Sequence, residues 1–427
     1  MTDLYVSFST GTNSGNGQKD KPFKFLWKAL NKAQAGDTVH VAEGRYPGQT
    51  SSGVMPKITQ AISIIGGYTT DFSARNPFEH LTIIGPKPDT QGKTDWSIKI
   101  EPAKAGKVIV DGFCIDRGQN NYYYGAGPPG PNNKIEGLQD NTAWGYGQLN
   151  RKSSGSCPTI EILNRGENTV RNCILINNAW WGIYVKCGGD SLIENNFILS
   201  SQGRAIEAIP GGGWGKPTIT IKNNTVLFGH SLKTTEGRAL STDPRDEKTA
   251  KYVIENNVLA FNHGGGVTTK FNPKEGSLVL NNNKFWFNRR ADLNFGAGTG
   301  TANAQNFEDD LEFDTEGNVH EIPKALALLE KDWFDKWTAD EFVDICAGNF
   351  VDESDLMQSR EVLGLKEFHL VGYKDTYDSY AKLPKMRPKF DMCRYPFPMK
   401  KGDLLDWKTI LPVIGADGDF GVQAFKN

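Results

Sequence analysis

The sequence lacks any long hydrophobic run and any excess of charge of one sign. No stretch approaches the roughly eighteen consecutive apolar residues that a transmembrane helix needs. The chain of 427 residues carries 48 basic and 50 acidic side chains. No overall positive field therefore points to nucleic acid, and an anionic ligand would have to be met by a local patch. We expect neither a membrane span nor a nucleic-acid partner.

Paired cysteines and a leader segment are also missing. The six cysteines do not have the tight paired spacing of a zinc site. Cys114 and Cys173 lie inside strand-like runs, where we expect small buried hydrophobic side chains. The first residues have neither the charged nor the apolar region of a signal peptide. We expect a protein that is secreted or periplasmic after signal-peptide removal, or else cytosolic.

Helical periodicity is missing between the strand-like runs in the middle of the chain, which argues against βαβ units. These runs instead carry Asn pairs in one register, as in "IENN" at Ile193–Asn196. The intervals from Asn172 to Asn195, Asn223, Asn256 and Asn282 are 23, 28, 33 and 26 residues. An irregular period above twenty residues, made of short strands and turns, is typical of a solenoid.

Asn is depleted in ordinary strands, so its recurrence needs a physical reason. Asn tolerates the left-handed backbone of a sharp turn. Its amide can also bond the amide of the next coil, about 4.8 Å away. Cys173 stands where the other coils have the second Asn, and we expect it to end or flank this ladder.

A second register follows about ten residues after each Asn pair and tracks the same intervals. Its apolar members are Ile160, Ile183, Ile206, Leu240, Val267 and Leu293. Two columns with matching spacing indicate two sides of one coil. The sequence therefore predicts an all-β fold, a single-stranded right-handed parallel β-helix.

The ends and insertions define the domain organisation. "KPFKFLWKALNKAQAGD" has apolar residues at helical spacing, and a helix there would cover the open end of the solenoid. We expect an N-terminal strand and capping helix over residues 1–36 and the β-helix over 37–302. A long insertion spans 116–158, and a partly helical C-terminal cap packs on the solenoid over 303–427.

Alternation within the second register identifies the outward side chains. The first outward row holds Glu161, Tyr184, Glu207, Ser241, Thr268 and Asn294, and the second holds Leu163, Lys186, Ile209, Asp243 and Lys270. Arg204, Arg238, Arg245 and His263 lie beside these rows, and Trp181 with Tyr123, Trp144 and Tyr146 of the insertion could form aromatic walls. A charged groove with aromatic walls suits a polysaccharide or oligosaccharide. We expect the protein to act on it as a monomer.

The opening of the chain resembles that of extracellular right-handed β-helix proteins. A "YVS" strand, "PF", a short helix and "GDTVHVAEGRY" carry this resemblance over about the first fifty residues. Such proteins include polysaccharide lyases of the pectate lyase and chondroitinase B–alginate lyase groups. The resemblance implies β-elimination across a uronic acid, with a cation neutralising the sugar carboxylate and a base taking the C5 proton.

The positions of these side chains in the two outward rows then suggest their roles in such a reaction. Lys270 or Lys186 would be the base, Tyr184 the donor to the leaving oxygen, and Arg238 the partner of the carboxylate. Glu207, Asp243 and Glu161 could hold calcium through oxygen ligands. No organic cofactor is expected. Substrate contacts would come from Arg204, Arg245, His263, Tyr123, Trp144, Tyr146 and Trp181.

Two other readings stay open, because no catalytic motif of the lyase groups is present. A β-helix glycoside hydrolase could use Glu161 and Glu207, about 10 Å apart across two strand spacings. A carbohydrate-binding or adhesin-like solenoid could use the same aromatic groove without an arranged base. The sequence does not name the sugar.

Overall fold

The computed structural model describes most of the solenoid and the last residues of the chain. The described residues are 2–48, 55–85, 98–116, 158–178, 181–201, 203–227, 229, 237–242, 249–262, 264–274, 276–286, 288, 291–296, 299–324 and 414–426. The predicted insertion, apart from its two ends, and residues 325–413 of the predicted C-terminal cap lie outside these residues.

Three long sheets contain nearly all of the regular structure. Sheet 1 consists of β1 (Asp3–Val6), β2 (Thr38–Ala42), β4 (Ser63–Tyr68), β7 (Val108–Asp111), β10 (Asn168–Arg171), β13 (Ser191–Glu194), β16 (Thr218–Lys222), β19 (Lys251–Glu255) and β22 (Leu278–Asn281), in that order. Sheet 2 consists of β3 (Gly44–Tyr46), β5 (Thr82–Ile84), β8 (Phe113–Asp116), β11 (Ile174–Asn178), β14 (Phe197–Ser201), β17 (Thr225–Leu227), β20 (Val258–Ala260), β23 (Lys284–Trp286) and β26 (Val319–His320). Sheet 3 consists of β6 (Ile98–Ile100), β9 (Ile160–Asn164), β12 (Trp181–Cys187), β15 (Arg204–Pro210), β18 (Arg238–Thr242), β21 (Val267–Thr269), β24 (Leu293–Phe295) and β25 (Gly300–Ala302).

The order of the strands confirms the predicted parallel β-helix. From β2 to β24, successive strands of the chain enter different sheets, and each strand pairs in parallel with the equivalent strand of the neighbouring coil. Only β24 and β25 pair antiparallel among the described strands. The inward residues of all three sheets form one buried hydrophobic cluster that runs through the coils. A right-handed coil is expected for parallel strands joined by crossovers.

A short helix covers the first coil, as predicted from helical spacing. Helix α1 (Leu26–Lys32) buries Leu26, Ala29 and Leu30 against the solenoid. Phe25, the first of the apolar residues at helical spacing in this stretch, is the N-cap residue of the helix in extended conformation. The other helical turns described are a 3₁₀ turn at Ala304–Asn306 and α2 (Phe307–Asp310) near the far end.

The two members of each Asn pair have separate tasks. The first member is left-handed, with φ between 52° and 57° at Asn172, Asn195, Asn223, Asn256 and Asn282. Most residues with a Cβ are disfavoured there, and Asn is among the few that visit this region routinely. The first Asn therefore makes the turn between sheets 1 and 2.

The second member of each pair builds a buried amide ladder. The Nδ2 groups of Asn196, Asn224, Asn257 and Asn283 each donate to the Oδ1 of the next rung, at 2.9–3.1 Å. The last acceptor is Asn318, a sixth coil position that the spacing of the sequence did not reveal. At the other end, the Cys173 backbone N–H donates to Asn196 Oδ1 at 3.0 Å, so Cys173 ends the ladder as expected.

Residues 414–426 lie against the same turns and run back along the solenoid. Asp417 accepts from Lys284 Nζ at 3.1 Å, and both side chains are buried. Four residues further on, the Gly421 carbonyl accepts from the Asn223 amide, and the Gln423 backbone N–H donates to Asn195 Oδ1 at 2.6 Å. The Phe425 ring then lies 4.8 Å from the guanidinium carbon of Arg75, several coils earlier. This segment thus crosses the stack of coils.

The described cysteines are buried. Cys114, Cys173 and Cys187 lie within the solenoid wall, and the burial of the first two confirms the prediction. Burial raises the pKa of Cys173 to about 12 and that of Cys187 to about 11. Within the described part of the chain, no helix is long and apolar enough to cross a membrane.

Candidate functional site

The outward row predicted on sheet 3 has the register expected from the sequence. Tyr184 pairs with Glu161 on one side and with Glu207 on the other. The same pairing continues from Glu207 to Ser241, from Ser241 to Thr268 and from Thr268 to Asn294. At the other end, Lys99 pairs with Glu161. We call Lys99, Glu161, Tyr184, Glu207, Ser241, Thr268 and Asn294 the sheet 3 row. Its inward neighbours, such as Ile183, Ile206 and Val267, belong to the hydrophobic core.

The sheet 3 row is not evenly exposed, contrary to the expectation of an open polar face. The side chain of Lys99 is 40% exposed and that of Glu161 is 14% exposed. From Glu207 onward the residues are buried, down to 1% at Ser241 and Asn294. Strand alternation fixes which way a side chain points, but it does not report what covers the face.

Glu207 is the centre of a buried polar cluster. Its carboxylate forms an ion pair with Arg204 and accepts a hydrogen bond from Trp181 Nε1 at 2.5 Å. Ser241 Oγ also lies 3.4 Å from the oxygen that Arg204 contacts. Arg204 and Trp181 occupy paired positions on β15 and β12, which explains how they meet. The cluster holds the Glu207 carboxylate and its counter-ion Arg204 beside the indole N–H of Trp181.

These contacts bear on the calcium hypothesis. Glu207 already uses its two oxygens for an arginine, an indole and a hydroxyl, and Glu161 forms an ion pair with Lys99 at 2.5 Å. Calcium requires several oxygen ligands around one point. No group of three His, Cys, Asp or Glu side chains suited to a metal occurs among the described residues. Glu161 and Glu207 as arranged do not fit a calcium site, and Asp243 lies outside the described residues.

Tyr184 and Lys186 share the outward face of β12. The Tyr184 ring lies 5.3 Å from the ring of Trp181, and the two rings are tilted by 45°. Lys186 follows two residues later, about 7 Å along the strand, between Leu163 and Ile209 on the neighbouring strands. These aliphatic neighbours offer the Lys186 ammonium no charge partner.

A tryptophan that sequence reasoning missed completes this end of the face. Lys186 Nζ and the Arg165 guanidinium carbon each lie 5.4 Å from the centre of the Trp214 ring. Among the described residues, no carboxylate forms an ion pair with either cation. Trp214 belongs to the Gly-rich stretch "GGGWGKP", which directly follows the last residue of β15. The single tryptophan among glycines was the sequence signal that could have indicated this contact.

Two glycines make room for Trp214. A Cβ at Gly211 would lie 2.2 Å from an indole carbon, and one at Gly188 would lie 2.9 Å from the Trp214 Cβ. The turn is held by a hydrogen bond from the Trp214 N–H to the Gly211 carbonyl at 2.9 Å. The ring is therefore seated against backbone. We call Arg165, Lys186 and Trp214 the Trp214 patch.

The other predicted site residues are placed as follows. Arg238 is the first residue of β18 and pairs directly with Arg204. Lys270 is exposed and directly follows the last residue of β21, so it does not continue the second outward row as a paired strand residue. Arg245, His263, Tyr123, Trp144 and Tyr146 lie outside the described residues.

The coils and the outward face define a parallel β-helix protein with a polar, aromatic outer site. Residues 9–127 match a family described as "Protein of unknown function (DUF1565)". No curated protein has significant sequence similarity to the chain.

Similar solved structures include XylC, solved in complex with xylose, at 13% identity, with 69% of this chain and 63% of XylC covered and a TM-score of 0.39. They also include the GH136 lacto-N-biosidase from Eubacterium ramulus, at 12% identity, 75% and 55% coverage and a TM-score of 0.40. A rhamnogalacturonan lyase matches at 12% identity, 78% and 92% coverage and a TM-score of 0.33. The chain spans less than two thirds of the first two proteins. None of these likenesses assigns an activity to the chain.

Proposed function

We propose that the protein is a polysaccharide lyase that binds a uronic-acid-containing chain on the outward face of sheet 3. The observation that carries the proposal is the Trp214 patch beside Tyr184. Two cations without carboxylate partners among the described residues contact one indole ring. Such a patch offers a stacking surface to a sugar ring and a counter-charge to its carboxylate.

The proposed reaction uses groups on or next to β12. Arg165 neutralises the uronate carboxylate, which makes the C5 proton more acidic. The Lys186 ammonium first gives a proton to solvent, and the resulting amine takes the C5 proton, so that the C5–H electron pair becomes the C4–C5 double bond. The C4–O bond breaks, and the leaving oxygen takes the proton of the Tyr184 phenol. Lys186 lies on the same strand face as Tyr184, which favours it over Lys270 as the base.

Glu207 has a positioning role in this scheme. Its ion pair with Arg204 and its hydrogen bond from Trp181 fix the indole that packs on the Tyr184 ring. These contacts occupy both carboxylate oxygens, so Glu207 is poorly placed to give a proton to a glycosidic oxygen. Arg238 stays a predicted partner of the substrate carboxylate. The calcium predicted from the sequence has no part in this scheme, because the donor set of Glu207 leads us to expect that chelation leaves turnover unchanged.

The experiment is a screen of pectate, alginate, chondroitin and hyaluronan that follows the far-ultraviolet absorbance of the unsaturated product. We expect a rise with at least one uronan, and a loss of at least about 100-fold in Lys186→Ala and in Tyr184→Phe. Lys251→Ala, an exposed change on sheet 1, is the matched control. Full activity in both site variants would contradict the placement.

Other outcomes of the same screen identify the alternatives. New reducing ends on a neutral glycan, without the unsaturated product, would favour a hydrolase. Retained glycan binding without any product would favour a carbohydrate-binding solenoid. Because such polymers lie outside the cytoplasm, the proposal also implies a secreted or periplasmic protein.

A further inference from the structure

The N-terminal cap carries partly exposed aromatic rings that the proposed function does not use. Helix α1 buries three apolar side chains against the solenoid. Phe25 and Trp27, on either side of the buried Leu26, are only half-buried and do not belong to the hydrophobic core cluster. Their rings stack on each other, with centres 5.9 Å apart and planes tilted by 19°. Exposed apolar surface outside the core is typical of a binding surface.

Two lysines flank these rings. Lys24 Nζ lies 5.5 Å from the centre of the Phe8 ring and 6.0 Å from that of the Phe25 ring. Lys28 Nζ lies 5.8 Å from the centre of the Trp27 ring. Within the part of the chain that the structure describes, neither ammonium forms an ion pair with a carboxylate. We call Phe8, Lys24, Phe25, Trp27 and Lys28 the cap patch.

The cap patch has the chemistry that an acidic sugar chain requires. A partly exposed aromatic ring offers a sugar ring an apolar surface, and an ammonium group beside it pairs with a carboxylate. Lys28 Nζ donates one hydrogen bond to the Asn13 carbonyl at 2.7 Å, which leaves two further N–H groups for a ligand. The unpaired positive charge therefore favours an acidic polymer over a neutral one, and the rings favour a sugar over a simple anion.

The cap patch is separate from the Trp214 patch. Helix α1 packs against β1 and β2, whereas Lys186 lies on β12, in the coil that begins with β10. Four strand spacings separate β1 from β10 in sheet 1, which is about 19 Å along the solenoid. The two patches therefore contact different stretches of a polymer. A polymer held at both patches is bound more tightly than one held at a single patch.

We propose that the cap patch is a second, non-catalytic binding surface for an acidic polysaccharide, and that it holds the protein on its polymer. The proposal goes beyond the proposed lyase reaction and rests on it only for the kind of polymer. The chemistry of the ligand follows from the rings and ammonium groups of the cap patch themselves.

The test measures polymer binding in a variant without the Trp214 patch, so that any remaining binding belongs to another surface. The background variant combines Lys186→Ala with Trp214→Ala and is run by affinity electrophoresis through gels that contain pectate, alginate, chondroitin or hyaluronan. We expect at least one polymer to retard it. Adding Trp27→Ala should raise the apparent dissociation constant about tenfold, and adding Lys28→Ala should raise it about threefold. Trp27→Phe, which keeps a ring, should restore most of the binding.

Lys32→Ala is the matched control for Lys28→Ala. Lys32 ends the same helix, and its Nζ lies 5.4 Å from the centre of the Phe23 ring and donates to the Asn16 carbonyl at 3.0 Å. Phe23, however, is only 7% exposed and belongs to the hydrophobic core. Both variants remove one positive charge and one cation–ring contact, but only Lys28 lies beside a partly exposed ring. We expect Lys32→Ala to bind as the background variant does, and the melting temperature to show that each variant is folded.

The outcomes separate this proposal from the lyase proposal. Equal losses in Lys28→Ala and Lys32→Ala would reduce the effect to overall charge and overturn the cap patch. Failure of all four polymers to retard the background variant would also overturn it, while unsaturated product formed by the unsubstituted protein would leave the lyase in place. Polymer binding that depends on Trp27, without any unsaturated product, would support the cap patch and refute the lyase.

Two other partners are tested alongside the polysaccharides. Binding of single-stranded DNA that depends on Trp27 and is tighter than that of every polysaccharide would overturn the proposed ligand. Sedimentation of the unsubstituted protein and of Trp27→Ala tests whether the cap patch instead joins two copies of the chain. A dimer that is lost in Trp27→Ala, without polymer binding, would also overturn the proposal.

Discussion

Replacing Asn224 by alanine tests the energetic role of the amide ladder. Asn224 is fully buried, and its Oδ1 accepts from the backbone and side-chain nitrogens of Asn196, at 3.1 and 2.9 Å. Its Nδ2 donates to Asn257 Oδ1 and to the carbonyls of Ile193 and Lys222, each at 3.0 Å. In Asn224→Ala the Asn196 backbone N–H loses this acceptor.

The magnitude follows from the groups left behind. A buried donor without a partner costs about 1–3 kcal/mol. The Asn196 amide loses one of its two acceptors, since Val170 still accepts from it, and the removed atoms leave a small cavity. We therefore expect Asn224→Ala to lower the free energy of unfolding by about 3–5 kcal/mol.

Urea unfolding followed by both circular dichroism and tryptophan fluorescence measures this change. The control is Asn256→Gly, in the left-handed column of the next coil, where φ is 57°. Glycine adopts this backbone without strain, so we expect a loss below about 1 kcal/mol. The reasoning is refuted if Asn224→Ala costs less than about 1 kcal/mol, or no more than the glycine control.

Two further predictions concern buried ionisable side chains. Because burial raises the pKa values of Cys173 and Cys187 to about 12 and about 11, both thiols should resist iodoacetamide at pH 8 in the folded protein and react once it is unfolded. Above the unfolded thiol pKa of about 8.5, the folded state therefore binds more protons than the unfolded state. The contribution of the buried thiols to the free energy of unfolding should be fully present below that pH and should be lost as the pH rises through 11–12. Equal urea midpoints at pH 8 and 10.5 would contradict this prediction. Asp417→Ala leaves the Lys284 ammonium, 4% exposed, without its 3.1 Å partner, and should cost about 3 kcal/mol in urea unfolding. A loss below about 1 kcal/mol would show that Glu321, 3.5 Å from Lys284 Nζ, replaces Asp417.

The fold could be predicted because its signals are local and repeat. Asn195 and Asn196 mark a turn by their own conformational and hydrogen-bonding preferences, and the following Ile206 marks an inward position. Once these two columns are aligned, the pairing of Tyr184 with Glu161 and Glu207 follows from geometry alone. The structure confirms this register.

The site could be predicted only in outline, because contacts across turns leave no periodic trace. Trp214 reaches Lys186 through a glycine turn whose conformation no spacing reports. The burial of Thr268 and Asn294 depends on what covers them, although their outward direction follows from alternation. Asn318 was missed because the segment before it interrupts the repeat.

The C-terminal segment changes how the stack of coils should come apart. In a solenoid whose repeats contact only their neighbours, the end coils open first and fraying proceeds inward. Here one stretch of chain contacts Lys284 near one end and Arg75 near the other. Because this stretch contacts both ends, a terminal coil can open only if contacts made many coils away are also released. The distant repeats therefore unfold as one cooperative unit. Hydrogen exchange should accordingly show similar protection at both ends of the ladder, with a gradient appearing only when residues 414–426 are removed.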